Sequence, residues 1–349
     1  MAKKKTTKKV EPKVDALANI TKAILNKHPN VVKKASDTEG RIIPTVSTGS
    51  IRLDVALGRG GMALGRIYEI SGPNSGGKST LAANVVAQAQ KRGLKCCYVD
   101  AEHAVDSSLF RSYGVDTDDL ILIQGYSGEE NLHILEMYTQ SGEISVAVVD
   151  SVSSLIPGVE AEAEISDVHM APLARLMNKA CRRLTPIAGR TGCLIIFINQ
   201  LRDKLTGYGN PEITTGGHAL GFHTTGRITV RGPEAVARRI VDKISGEVIG
   251  HKTLFEVTKN KLAPPFRKAE VNLIYGKGYD THWEVLDIAT ELGIITKGGN
   301  WYKFPEENNI ANGELNAVAF LKENEEVYKE IRNQVIEIVG LKDIYEQNS

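Results

Sequence analysis

From residue 42 to about residue 279, short continuous apolar runs alternate with longer stretches in which apolar positions recur at helical spacing. A run that is apolar at every position suits a strand covered on both faces, and the longer stretches suit the helices that cover it. The pattern predicts buried strands over residues 66–71, 95–99, 120–124, 146–149 and 193–198, with helices such as 80–91 between them. Runs at 227–231, 253–259 and 270–275 predict a hairpin-like extension of the same sheet. The expected fold class is α/β, a mostly parallel sheet flanked by helices.

Outside that region the pattern changes. Residues 14–26 place Leu17, Ile20 and Ile24 on one helical face, a stripe too narrow to fold alone and suited to docking on another surface. Residues 1–13 carry Lys3, Lys4, Lys5, Lys8, Lys9 and Lys13 among few apolar residues, which predicts a disordered basic tail. After His282 the acids Glu306, Glu307, Glu323, Glu325, Glu326 and Glu330 outnumber nearby bases, and Gly298-Gly299 marks a turn. The domains expected are a tail at 1–13, an N-terminal helix and linker at 14–41, a core at 42–281 and a small C-terminal α/β domain at 282–349. No internal repeat is found.

Composition narrows the function. A chain of 349 residues with 42% hydrophobic content can bury one large core plus appendages. Its 43 basic residues balance 42 acidic ones, so no global field draws it to nucleic acid and any DNA contact must be local. Cys96 and Cys97 are adjacent in an apolar run, and with Cys181 and Cys193 they suit reduced core thiols. No apolar stretch approaches the roughly 18 residues needed to span a bilayer. The start also lacks the apolar segment of a signal peptide. A cytoplasmic protein with no membrane partner is expected.

Gly72-Pro73-Asn74-Ser75-Gly76-Gly77-Lys78-Ser79 fits the phosphate-loop pattern G-x-x-x-x-G-K-[ST] between a predicted strand and a helix opening at Thr80. Glycines let backbone N–H groups curl around phosphate oxygens, and the helix start adds about half a positive charge. Lys78 would reach the β- and γ-phosphates of ATP, and the Ser79 hydroxyl would ligate Mg²⁺. Three further strands end in polar residues, and in a parallel sheet those ends line the same crevice. Asp150 would hold the Mg²⁺ shell through water. Glu102 would act as general base on the attacking water. The amides Asn199 and Gln200 could sense the γ-phosphate. Each alone is also explained as a strand-end turn or cap; together they are not.

These segments, with Ser47-Thr48-Gly49-Ser50, Asp100-Ala101-Glu102-His103-Ala104, Phe197-Ile198-Asn199-Gln200, Gly209-Asn210-Pro211-Glu212, Thr214-Thr215-Gly216-Gly217 and Lys259-Asn260-Lys261, closely resemble the RecA family of bacterial recombinases, in order and spacing, over most of the chain. The resemblance implies a RecA-type ATPase that forms a helical homo-oligomeric filament on single-stranded DNA and pairs it with a homologous duplex. It implies Glu102 as the catalytic glutamate and Gln200 as the link from the γ-phosphate to a second DNA-binding loop. It implies that Lys259 and Lys261 reach the ATP of the neighbouring subunit, as an arginine finger supplied in trans would. The N-terminal helix would then dock on the adjacent core.

The second loop spans residues 201–218 and contains Arg202, Lys204, Tyr208, Gly216 and Gly217; its basic side chains and amides suit phosphates, and an aromatic can stack on a base. The alternative reading of this segment is a surface lid over the nucleotide. A first loop at about 156–167 carries Glu160, Glu162, Glu164 and Asp167, which repel phosphate, so backbone amides and the arginines of the following helix are expected to make the contacts while the loop separates base groups; the resemblance implies Arg175 and Arg182 as contacts, and Arg183 less so. Asn74 and Gly76 depart from the Glu and Ser usual in the family, and Pro172 stands early in the helix after the first loop. Asp106 is the expected adenine contact. Leu109 replaces a frequent aromatic, so base stacking falls to Tyr275 or is weak. The second loop is one residue short. The family's long acidic tail is missing beyond Glu346, which predicts readier loading on duplex DNA, and the basic first segment would push the same way.

Two rivals stay open at this stage. A hexameric motor of the DnaB-like helicase kind would carry an arginine finger, where this chain offers Lys259 and Lys261. A nucleotide-gated scaffold would use the filament groove to recruit a LexA-like repressor, with loading mediators as further partners.

Overall fold

The computed structural model describes residues 14–27, 43–164, 171–203, 212–232, 238–242, 245–305 and 310–347. Residues 1–43 and 44–349 form two units. The first contributes helix α1, Val14–Lys27, close to the expected 14–26. Along it Leu17, Ile20 and Ile24 are exposed. The basic stretch 1–13 lies outside the described residues.

The second unit opens with β1 (Thr45–Val46), α2 (Ile51–Leu57) and β2 (Met62–Ala63), then alternates β3 (Ile67–Gly72), α3 (Lys78–Lys91), β4 (Cys96–Asp100), α4 (Ser107–Ser112), β5 (Leu120–Ile123), α5 (Gly128–Ser141) and β6 (Val146–Asp150). The short α6 (Gly158–Ala161) and the long α7 (Pro172–Thr191) lead to β7 (Leu194–Asp203), β8 (Glu212–Thr214), α8 (Ala219–His223) and β9 (Gly226–Arg231). β10 (Arg239–Val241), β11 (Val248–Asn260), β12 (Lys268–Ile274) and β13 (Gly278–Tyr279) complete the large sheet. The chain closes with α9 (Thr281–Glu291), a small sheet of β14 (Thr296–Gly298), β15 (Trp301–Lys303) and β16 (Ile310–Asn312), and helices α10 (Glu314–Glu323), α11 (Glu325–Ile338) and α12 (Lys342–Gln347).

The large sheet runs β13-β12-β11-β9-β3-β7-β6-β4-β5, with β10 beside β11 and β8 beside β7. From β9 to β5 the strands are parallel. From β9 to β13 they are antiparallel, the extension that the apolar runs predicted. Every residue of β3 is buried, as a strand with neighbours on both sides requires. β5 corrects the expectation of a buried strand: among the described residues it has β4 alone as neighbour, Leu122 is exposed, and Ile123 is its one buried residue. An apolar run marks a strand without saying whether a second neighbour covers it.

One hydrophobic cluster fills the space between the sheet and α5 and α7, with Val99, Leu135, Val149, Cys181 and Phe197 among its members. All four cysteines are buried with free thiols, and burial pushes Cys96 up to about 12, so they behave as inert core groups. A second cluster lies in the C-terminal part, built from Trp283, Leu286, Ile295, Leu321 and Val335, and it takes in Ile51 of α2.

Two buried carboxylates join that part to the start of the core. Glu284 accepts hydrogen bonds from the Ser50 hydroxyl (2.5 Å) and from the backbone N–H groups of Ile51 and Arg52 (3.1 Å each), completing the N-terminus of α2, where the Ser50 oxygen accepts from the Leu53 N–H (3.2 Å). Asp54 accepts from the Ser47 hydroxyl (2.5 Å), the Thr48 N–H (2.8 Å) and hydroxyl (2.7 Å), and the Tyr345 hydroxyl of α12 (2.7 Å). The Ser47-Thr48-Gly49-Ser50 motif is therefore a structural joint. Pro172 sits in the first turn of α7, where its missing N–H is not needed.

Candidate nucleotide site and nucleic-acid surface

Parallel pairing puts the polar strand ends on one edge. Gly72 lies opposite Gln200, Ser71 opposite Asn199, and Asp100 opposite Asp150. The phosphate loop leaves that edge from β3 and enters α3 through Gly77, which holds φ at 100° and caps the helix without a side chain, leaving its first N–H groups free to face an anion. A Cβ on Gly72 would meet the Val230 carbonyl oxygen at 2.5 Å, so that close approach admits no side chain. Ser75, Gly76, Lys78, Ser79 and Thr80 line a cleft of about 550 Å³ together with Leu109, Tyr113, His251 and Tyr275.

Within the cleft Lys78 donates from Nζ to the Pro73 carbonyl (2.7 Å). Burial lowers its pKa from the ordinary lysine value, and the charges of Asp150 and Glu102 pull it back. The Ser79 and Tyr98 hydroxyls both donate to Asp150 Oδ2, each at 2.7 Å. Burial raises the Asp150 pKa, and those two hydrogen bonds oppose the rise. Ser79 and Asp150 are hard oxygen donors beside the phosphate loop, a set that fits Mg²⁺ held mainly by phosphate and water. Among the described residues no cluster of His, Cys, Asp and Glu could hold a metal by itself.

Glu102 is carried by the turn after β4. Asp100 folds that turn by accepting from the Ala104 and Val105 N–H groups (3.1 Å each) and from the Gln124 amide (2.9 Å). Glu102 Oε1 accepts from the Ser151 hydroxyl at 2.6 Å and from Gln200 Nε2 at 3.4 Å. The neighbouring Asn199 donates to buried Glu69 and to the Thr215 carbonyl, both at 2.9 Å. That second bond ties the end of β7 to the base of the second loop. Gly216 and Gly217, both at positive φ, follow at once; Cβ atoms on them would collide with Val152 and with Ala174 of α7.

Several expectations are redrawn. The second loop does not start at Leu201: residues 201–203 pair with 212–214 as an antiparallel ladder, because β8 supplies partners for backbone groups a free loop would leave to water. The first loop contains the short helix α6. Asp106 is not among the cleft-lining residues. Its carboxylate caps α4, accepting from the Ser108 hydroxyl (2.5 Å) and from the Leu109 (3.0 Å) and Ser108 (2.7 Å) N–H groups, and those bonds, the hydroxyl's first, lower its pKa. Leu109, expected to be a loss at this position, does line the cleft, as does Tyr275. The side chain of Arg202, and all of Lys204, Tyr208 and Asp167, lie outside the described residues.

Arg175, Arg182 and Arg183 share a face of α7 with Asn178 and Lys179, and the five line a shallow groove. Arg183 pairs with Glu136 at 2.9 Å, which leaves Arg175 and Arg182 as the more available guanidinium groups. Lys259 donates to the Gly221 carbonyl at 2.6 Å and Lys261 to the Phe222 carbonyl at 3.4 Å; neither lines the cleft, and the Phe222 ring beside them is exposed. Tyr98, Tyr113, Ser151 and His251 were missed as site residues. Ser151 could have been found, since it directly follows the strand-end Asp150. Tyr98 lies on β4 two residues before Asp100, Tyr113 closes α4, and His251 is brought in by the distant strand β11.

The chain matches the model of the RecA N-terminal domain over residues 13–280 and that of the RecA C-terminal domain over residues 283–340. It is 44% identical over 315 residues to Protein RecA of Psychrobacter arcticus, covering 90% of this chain and 88% of that one. It is likewise 44% identical over 305 residues to Protein RecA of Pseudomonas savastanoi pv. phaseolicola, covering 87% and 84%.

Proposed function

The chain belongs to the RecA family, and from that premise and the cleft at the strand ends we infer the roles of its residues in an ATP-dependent DNA recombinase. It is a DNA-dependent ATPase that forms filaments on single-stranded DNA and catalyses homologous pairing and strand exchange in recombination and repair. The observation that carries the residue roles is the convergence of Gly72, Asp100, Asp150 and Gln200 on one sheet edge.

In this reading the N–H groups of residues 72–80 and Lys78 bind the ATP phosphates, while Tyr275 offers a face to the base. Ser79 and, through water, Asp150 would hold Mg²⁺, which would neutralise phosphate charge. Glu102 orients water and takes its proton as it attacks the γ-phosphate. Gln200 responds to the γ-phosphate and passes the change through Asn199 and Thr215 to the second loop. Gly216 and Gly217, with Arg202, Lys204 and Tyr208, grip DNA there, and Arg175 and Arg182 add phosphate contacts. Lys259 and Lys261 act on the nucleotide of the next protomer; groups supplied in trans can raise hydrolysis by about 10³–10⁵.

The domain reading follows: 14–41 docks on an adjacent core, 42–281 carries ATP and DNA, and 282–349 is a small appended domain. A cytoplasmic setting accords with the lack, among the described residues, of any helix long and apolar enough to cross a membrane. A LexA-like repressor and loading mediators are proposed partners on family grounds alone. Electron microscopy with single-stranded DNA and a non-hydrolysable ATP analogue tests the reading; helical filaments that need both are expected, and monomers would refute it.

A further inference from the structure

His251 stands on β11 with its side chain buried, in the wall of the nucleotide cleft. Its Nδ1 lies 3.1 Å from the Tyr275 hydroxyl, and the two rings are 5.5 Å apart at 51°. Tyr275 continues the ladder of β12 by donating its N–H to the Ile249 carbonyl at 2.9 Å, so its backbone is held while its half-exposed ring turns toward the cleft. The other imidazole nitrogen, Nε2, is buried without a partner at full hydrogen-bond geometry, and the ring interacts with the Gly76 backbone, which raises its pKa against the effect of burial. Thr253, two residues on and therefore on the same face of the strand, also buries an unpartnered hydroxyl, and a Cβ on Gly77 would lie 3.8 Å from it. Buried polar atoms without partners are rare, and here they sit together behind the phosphate loop. Burial lowers the His251 pKa from its ordinary value, so the imidazole is neutral at neutral pH and one nitrogen can accept while the other donates.

We propose that His251 is a positioning residue for the base of the bound nucleotide. Nδ1 accepts the Tyr275 hydroxyl and fixes the angle of the ring against which the base lies, while Nε2–H faces the Gly76 peptide, which holds the imidazole in its tautomer and orientation. This rests on the reading of the cleft as the nucleotide site. It goes further by giving base recognition two linked side chains, one of which never touches the base. A purely structural histidine would affect base and phosphate binding alike; a positioning one affects the base alone.

The test measures displacement of a fluorescent ATP analogue from the full chain, without DNA, by ATP and by tripolyphosphate, which has phosphates and no base. His251→Ala and Tyr275→Phe should each weaken ATP about three- to tenfold, the worth of one hydrogen bond, and leave tripolyphosphate unchanged. The double variant should be no worse than either single one. His251→Gln, whose amide oxygen can accept the hydroxyl, should recover part of the loss. ATP binding unchanged in both single variants, an equal loss for ATP and tripolyphosphate, or additive losses would each overturn the inference while leaving the nucleotide site standing. A wild-type chain from which neither competitor displaces the analogue would overturn the site itself and the inference with it.

Discussion

Gln200 Nε2 lies 3.4 Å from Glu102 Oε1, so the amide at the end of β7 touches the carboxylate carried by the turn after β4. The residue assigned to sensing the γ-phosphate is thus in contact with the residue assigned to activating water. Ser151 grips the same oxygen at 2.6 Å. Binding and hydrolysis are accordingly separable by mutation at these positions.

Glu102→Ala should keep ATP-dependent DNA binding and slow hydrolysis by about 10²–10⁴, the usual worth of a general base. Phosphate release and DNA binding measured on the same preparation check this. Normal hydrolysis would remove Glu102 from the role.

Gln200→Ala should leave ATP binding near that of the wild type and erase the difference in DNA affinity between ATP and ADP. Fluorescence anisotropy of a labelled oligonucleotide with each nucleotide reads it directly. A retained difference would place the sensor elsewhere.

Lys78→Ala should remove a charge aimed at the phosphates and reduce turnover by at least about 10², as loss of one electrostatic stabiliser does. The assay is steady-state ATPase with saturating single-stranded DNA.

Arg175→Ala and Arg182→Ala should each flatten the dependence of log affinity on log salt by about 0.7 for single-stranded DNA. Arg183→Ala should change it less, since Glu136 already engages that guanidinium. Equal slopes for all four proteins would move the phosphate contacts off this face.

Asp54 makes stability depend on pH. Burial raises its pKa to about 7, against the hydroxyl and N–H donors around it that lower it. The folded protein therefore holds a proton that the unfolded chain, with a carboxyl pKa of about 3.9, releases. Stability is greatest below about pH 4 as far as this group is concerned, falls as pH rises to about 7 and is level beyond. The loss amounts to a few kcal/mol at about 1.4 per unit. Asp54→Asn should flatten the slope of urea-unfolding free energy between about pH 5 and 7. Asp150 and Glu284, also raised by burial, contribute a slope of the same sign that the substitution leaves in place.

Much of this was legible from local pattern. The strands of the parallel sheet, the phosphate loop and the strand-end acids each announce themselves within a few residues, because burial and phosphate binding demand particular residue types in sequence. What was not legible depends on distant partners. That β5 is an edge strand depends on what fails to pair with it. That residues 201–203 extend β7 depends on β8. The sequence reads Asp106 as a base contact and shows nothing of its other task, capping α4 through the N–H groups of Ser108 and Leu109. His251 enters the cleft through pairing of β11 with β12, which no window of sequence displays.

The two family-model matches meet near residue 281, which looks a natural place to divide the protein into pieces. Glu284 and Tyr345 argue against cutting there. A recombinant fragment ending at that seam would leave α2 with bare amides at its start and Asp54 without the α12 hydroxyl, and Ile51 would lose its apolar neighbours. The shortened ATPase would be expected to aggregate or need rescue, so loss of function on truncation would say little about what the C-terminal part does with DNA.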